Sequence, residues 1–424
     1  MSKKTAFLLV TLLITISIYA QDNKQLQDKF MEAEYFFMNE DYPEAINYYL
    51  QIYAERGDNA NLAFKIGVCY LNIPGKKELS VKYLEDAVKN MSAKRREGTL
   101  NQLAAPYDAL YELARACRIN YNFEKAKESF LKYKKTLLPD DVENINFVDH
   151  EIAVCDMAKI LIDKPVSFTL ENMGELFNDD KPNFNPVISA DAKSFVFMSS
   201  LKFYDAIMYS RLQNNTWGGP VNIYPDLQID GDISISSLSK DGSKLYISKD
   251  DNFNSDIYIA GFNGNAWTPA VKLNKNINTR YWESHAFISE DDNQLIFASD
   301  RPGGFGGLDL YISRKVNGDW GPAINMGPEI NTSFNEDRPF LANHDKTLFF
   351  SSQGHENMGG YDLFRAERLP AGTWKKPENM GYPLNTPDDN TYYMPSGNGK
   401  NGYMYLDKET EGFGREDLYM IILK

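Results

Sequence analysis

Cysteine is scarce in this chain. The 424 residues carry three, Cys69, Cys117 and Cys155, all in the first half. An odd, clustered count argues against a disulfide framework and reads as small core residues. The four histidines, His150, His285, His344 and His355, lack the spacing of a metal-ligand motif. Basic excess is missing too: 45 Lys and Arg against 59 Asp and Glu give a formal charge of -14. No basic patch is available, so neither nucleic acid nor an anionic lipid surface is an expected partner. The G-x-S-x-G elbow, H-E-x-x-H and the phosphate-cradling G-x-x-x-x-G-K are absent, which removes the commonest hydrolase and nucleotide-binding signatures. Catalysis by residues distant in sequence stays open. Apolar runs are short everywhere except from Ala6 to Tyr19, which follows Lys3 and Lys4 and precedes Ala20 and Gln21. That is the layout of a secretory signal over residues 1–20, with an uncleaved anchor as the alternative. The expected mature chain starts at Gln21, is exported, and has no other segment able to span a bilayer. No Cys follows the apolar run, so anchoring through an N-terminal lipidated Cys is not expected.

What is plentiful is aromatic: 26 Tyr and 25 Phe, with 43% hydrophobic residues overall, as pleated, half-buried sheet faces require. From residue 21 to 163, however, the apolar spacing is helical, with Gly and Pro falling mainly between segments. Ala33 and Phe36 return as Gly67 and Tyr70 after 34 residues, then as Ala114 and Cys117 after an insertion around 91–105. The partner helices carry Ala45 and Tyr49, Ser80 and Leu84, Ala126 and Phe130. Each pair reads as a helical hairpin, with Pro43 starting a helix, Pro139 ending one, and a last helix from Val142 to Ile162 capping the array. A generic helical bundle is the alternative. The small and aromatic pattern over residues 28–139 resembles the tetratricopeptide repeat, which implies a concave groove for a peptide or partner domain.

The second half, 164–424, repeats one unit of about 50 residues. Asn178, Gln228, Asn278, Asn331 and Asn385 keep step with Ser189, Ser239, Ser289, Ala342 and Ser396. Each unit reads as four short strands: one ending at the Ser position, a turn such as Asp241-Gly242, a strand such as LIFAS, a third opening on Asp256, Asp309, Asp362 or Asp417, and a fourth after Trp217, Trp267, Trp320 or Trp374. The recurring Asp is expected to accept backbone amides of the loop before it. The segment ENMG occurs at 171–174, before any complete unit, and again at 378–381, whereas the last unit stops after DLYMIILK. Residues 166–174 should therefore supply the missing strand of the last sheet and remove an open edge, giving five blades with no room for a sixth. The fold class expected is two-domain, helices first and then an all-β propeller.

These units resemble the WD-repeat-like propeller repeats of TolB and of bacterial envelope proteins, most closely over 289–311. With the helical repeats and the exported N-terminus, the whole chain resembles envelope proteins of Bacteroidota. Some of these act around type IX secretion and gliding, and others carry an outer-membrane-protein-A-like domain. This chain ends at the propeller, so peptidoglycan binding is not carried over. The resemblance implies a periplasmic, outer-membrane-associated scaffold that binds protein partners and is not an enzyme. The alternatives are a propeller hydrolase or lyase acting on cell-wall or glycan fragments, or a soluble receptor for a small ligand.

Antiparallel connectivity puts the inter-blade connections and the loops between strands two and three on one face, where rigid scaffolds commonly present function. Tyr281, Trp282, Glu283 and His285 fall there, as do Glu336, Asp337 and Arg338, joined by Arg301, His355 and Arg415. They are the candidate partner-binding residues, although turn chemistry alone accounts for many such positions and Arg301 could serve only to bridge blades. No cofactor is expected. Calcium is the alternative for the acidic stretch 248–256, whose clustered oxygens suit it but which lacks the spacing of a known loop.

Overall fold

The structure, a computed structural model, describes residues 24–424 except 95, 97, 252–253 and 408–411. The expected signal segment lies outside the described residues. Two compact units divide the chain, residues 1–155 and 156–424.

The first unit is helical. After a helix over 24–38, α1, come α2 (Tyr42–Glu55), α3 (Ala60–Leu71), α4 (Ser80–Ala87), α5 (Asp108–Ile119), α6 (Phe123–Lys134) and α7 (Val142–Ile162). Short polar side chains start them: Asp41 and Asn59 accept from the amides of Glu44 and Leu62, satisfying donors that a helix start leaves orphaned. The repeated small residues sit where helices touch, since Ala33, Ala45, Ser80, Ala114 and Ala126 are wholly buried. Gly67 shows why size matters at that place: a Cβ there would lie 2.5 Å from Leu84 Cγ. All three cysteines are buried and outside any disulfide, and burial pushes the Cys69 thiol up to about 12. Charge inside this unit is paired. Glu34 takes the Tyr49 hydroxyl and Lys65, and Arg118 meets Glu151 at 2.6 Å.

The second unit is a five-bladed propeller built from antiparallel sheets. From the inside outward, blade 1 uses Asn183–Ile188, Ser194–Ser200, Asp205–Gln213 and Val221–Asn222. Blade 2 uses Asp232–Leu238, Lys244–Asp250, Ser255–Gly261 and Val271–Lys272. Blade 3 follows with Glu283–Ile288, Gln294–Ser299, Asp309–Val316 and Ile324–Asn325, and blade 4 with Glu336–Ala342, Thr347–Ser352, Asp362–Glu367 and Glu378–Asn379. Blade 5 has Met394–Pro395, Asn401–Asp407 and Glu416–Leu423, and its outer strand is Phe168–Asn172, paired from Phe168 opposite Leu423 to Asn172 opposite Tyr419. The start and end of the sheet domain thus share one blade, and the pairing covers the edge that Glu416–Leu423 would otherwise leave open.

The repeat exists because the same side chains do the same backbone work in most of the blades. Asn178, Asn278, Asn331 and Asn385 each clamp a strand of the preceding blade, the side-chain oxygen accepting an amide and the nitrogen donating to the carbonyl of one residue: Leu418, Ile257, Leu310 and Leu363 respectively. The Asn178 clamp joins residues 240 apart in sequence. Asp309 and Asp417 accept amides of the loops before them, from Phe305 and Gly306 and from Phe413 and Gly414, and Asp362 takes Met358. Second strands are buried on both sides, as in Leu295–Ala298 and Leu348–Phe350, because each sheet packs between two others. One apolar cluster runs through all five blades. Near the turns between first and second strands, Ile188, Leu238, Phe287, Leu341 and Met394 close the axis around a cavity of only about 20 Å³.

Candidate functional site

The candidate face is the end of the propeller opposite those turns. Four inner strands reach it through β-bulges, between Phe184 and Val187, Ile235 and Ser237, Ser284 and Phe287, and Asp337 and Phe340. Bulges re-aim side chains, and Asn185, His285 and Arg338 take the positive φ values of 48°, 47° and 49° at these places.

The re-aimed side chains form a collar around the axis. Asn185 Nδ2 donates to Ser234 Oγ at 3.3 Å, and the His285 amide donates to Ser248 Oγ at 2.9 Å. His285 Nδ1 lies 2.8 Å from Asp337 Oδ1. The Arg338 guanidinium stands 5.3 Å over the Tyr392 ring, and the Tyr392 hydroxyl donates to the Pro186 carbonyl at 2.7 Å, so contacts pass from each blade to the next and return to the first. Burial works to raise the Asp337 carboxyl, but His285 and then Arg338 outweigh it and hold it below the ordinary range. Asp250 goes the other way: burial raises it, against opposing contributions from Ser255 and His285.

Several residues read from sequence as partner-facing instead hold the loops. Glu283 is fully buried. Its carboxylate accepts the Thr279 amide and hydroxyl, Ser299 Oγ and Arg301 Nη2. Arg301 is equally committed, donating to the carbonyl of Ile277 at 2.6 Å and lying 5.0 Å from the rings of both Phe297 and Tyr311. It ties the inter-blade connection to its own blade and offers a partner little.

Blade 4 repeats this site with one change. Glu336, also fully buried, accepts the Thr332 amide and hydroxyl and Ser352 Oγ. The place of Arg301 is taken by Gly354, where a Cβ would overlap Thr332 Oγ1. His355 fills the space instead, its ring against Phe350 and Phe364 and its Nε2 at 2.9 Å from the Ile330 carbonyl. Burial lowers the His355 imidazole. Without the guanidinium, burial pushes the Glu336 carboxyl up to about 7, against the bonds from Thr332 and Ser352. Glu283, Arg301, Glu336 and His355 are therefore corrected from recognition residues to loop supports.

The remaining candidates stay nearer solvent. Tyr281 lies under the Arg280 guanidinium at 4.9 Å, half-buried Trp282 anchors its amide on Asp300 at 2.7 Å, and exposed Arg415 stands 3.9 Å from Asp407. His285, Asp337 and Arg338 belong to the collar.

The ten candidate residues do not include the most exposed apolar groups on this face. Phe203 is 87% exposed, Phe305 50%, Phe413 43% and Tyr204 41%. All four sit in loops between strands two and three. Phe305 and Phe413 occupy one repeat position, two residues after Gly303 and Glu411 and four before the strand-three Asp, and that alignment was the available signal. Among the described residues, no group of three or more His, Cys, Asp or Glu is placed to hold a metal, and no helix is long and apolar enough to cross a membrane.

No family model matches the chain and no curated protein matches it. Solved structures are similar to it at low identity. TolB from Acinetobacter baumannii is 18% identical with a TM-score of 0.37, over 57% of this chain and 55% of that one, so the match spans about half the length of that protein. A TolB-type protein from Agrobacterium tumefaciens is 16% identical with a TM-score of 0.37, over 60% of this chain and 88% of that one. An alpha-L-arabinofuranosidase from Lactobacillus brevis is 14% identical with a TM-score of 0.41, over 59% and 92%. Likeness at this level selects no activity.

Proposed function

We propose that the chain is a non-enzymatic scaffold of the cell envelope, exported to the periplasm, whose propeller loop face binds a protein partner. The observation that carries this reading is the exposure of Phe203, Phe305 and Phe413 on one face of a propeller. Exposed rings rimmed by polar loops mark interaction sites more often than they serve a monomer. Tyr281, Trp282 and Arg415 belong to the same loop face. In this reading the helical hairpins form a tetratricopeptide-like array that grips a second partner, within an outer-membrane-associated secretion or gliding assembly. Affinity capture from envelope extracts tests it: one defined partner should be retained by the intact chain and lost when Phe203, Phe305 and Phe413 are replaced together by Ser. Retention by the triple variant would refute the face.

A second reading, a hydrolase or lyase on glycan fragments, draws on one observation. Asp250 is raised and Asp337 lowered with His285 acting on both, and carboxylates pushed apart in this way suit acid and base roles. Turnover in a glycan screen that disappears in Asp250→Asn and Asp337→Asn would favour it over the scaffold.

A further inference from the structure

Between the first two blades the loop face opens into a cleft of about 570 Å³, inside the size range of ligand sites. Its lining is aromatic and acidic. The rings of Tyr204 and Tyr224 lie 5.0 Å apart at 42°, and Asn222 Nδ2 donates to the Tyr204 hydroxyl at 3.0 Å, which fixes that ring. Phe203 belongs to the lining and is the most exposed aromatic described. The charged residues of the lining are Asp205 and Asp232, both exposed, and no basic side chain joins them. Ser200 Oγ donates to Asp205 Oδ1 at 2.6 Å and so orients that carboxylate. Past the lining the charge is mixed: burial raises the Glu416 carboxyl, Asp407 adds to the rise, Arg415 opposes it and Asp205 adds a smaller share. Lys202 Nζ already stands 5.1 Å over the Phe203 ring, so a cation is attracted to this rim from outside the cleft.

We infer that the cleft receives an arginine side chain presented by a partner polypeptide. A guanidinium is planar, stacks on aromatic faces and forks onto carboxylates, and it is weakly hydrated enough to leave water for such a site. A lysine meets the charge but not the stacking. A neutral sugar meets the stacking but leaves two carboxylates uncompensated, and an anion is repelled by both. The inference rests on the loop face being a partner surface, and it adds the class of residue the partner brings and the blades that receive it.

The test uses the full chain and a fluorescent, capped pentapeptide in which two arginines alternate with glycine, titrated by anisotropy at low salt. Saturable binding is expected, weaker by at least about tenfold for the lysine peptide and lost for the uncharged citrulline peptide. Asp205→Asn with Asp232→Asn should weaken it by at least about tenfold with melting unchanged, whereas Asn293→Ala, in the exposed turn between the first two strands of blade 3 at the opposite end, should leave it intact. No saturable binding, equal binding of the citrulline peptide, indifference to the Asp substitutions, or capture of a neutral tetrasaccharide instead would each overturn the inference. If the peptide fails while the defined partner still depends on Phe305 and Phe413, only the inference falls. If the partner ignores those phenylalanines as well, the reading of the face falls with it.

Discussion

Glu336→Gln should abolish the pH dependence that Glu336 imposes on the propeller. The Glu336 carboxyl is fully buried and moves from an ordinary 4.5 to about 7. The folded state therefore holds a proton that the unfolded chain has released between these two values. Stability from this group is fully present below about pH 4.5 and is lost as pH rises through about 7. The difference between the two values corresponds to roughly 3 kcal/mol by pH 8. A glutamine keeps the shape and cannot ionise. Its oxygen can accept the Thr332 amide and its nitrogen can donate to the Thr332 and Ser352 hydroxyls, at a cost of about 1 kcal/mol for bonds rearranged. Relative to the parent, the variant should be slightly less stable at pH 5 and more stable by about 2 kcal/mol at pH 8. All five tryptophans lie between residues 217 and 374, so urea unfolding followed by tryptophan fluorescence reports on the propeller alone. A difference between parent and variant that does not change from pH 5 to pH 8 would refute the reasoning.

Arg301→Ala should cost about 3–5 kcal/mol in the same unfolding assay, because it strands buried Glu283 without its cation; a loss below about 1 kcal/mol would restore Arg301 as a surface recognition residue. Asn178→Ala removes the clamp on Leu418 that spans the closure and should lower propeller stability by about 1–3 kcal/mol while raising protease cleavage near 168–172; an unchanged cleavage pattern would contradict the clamp. Phe305→Ser and Phe413→Ser should change melting by less than the equivalent of about 0.5 kcal/mol, as exposed positions do, and a larger drop would mean that the rings support the fold.

The blades were legible because their repetition is chemical. A clamp such as Asn278 on Ile257 or a loop acceptor such as Asp309 needs one residue type at one place in sheet after sheet, with Gln228 the exception among the clamp positions, and so the spacing survives in the sequence. The helical hairpins were legible for a related reason: Gly67 against Leu84 permits no side chain. The candidate site was less legible. Glu283, Arg301 and Glu336 are polar residues in turn-rich connections, and nothing in the sequence tells a carboxylate that accepts four bonds inside a loop from one that faces solvent. Phe203 failed in the opposite direction, since an aromatic in a sheet-rich chain reads as core, and only the fold turns it outward. The collar of His285, Asp337, Arg338 and Tyr392 joins residues 50 or more positions apart through bulges that no local pattern announces.

The central claim is that one end of the propeller is a partner surface, and photo-crosslinking in living cells tests it most directly. A photoreactive amino acid placed at Phe305 on the loop face and, separately, at Asn317 on the opposite end should trap a single protein partner from Phe305 and nothing from Asn317. Adducts from Asn317, or none from Phe305, would contradict the account.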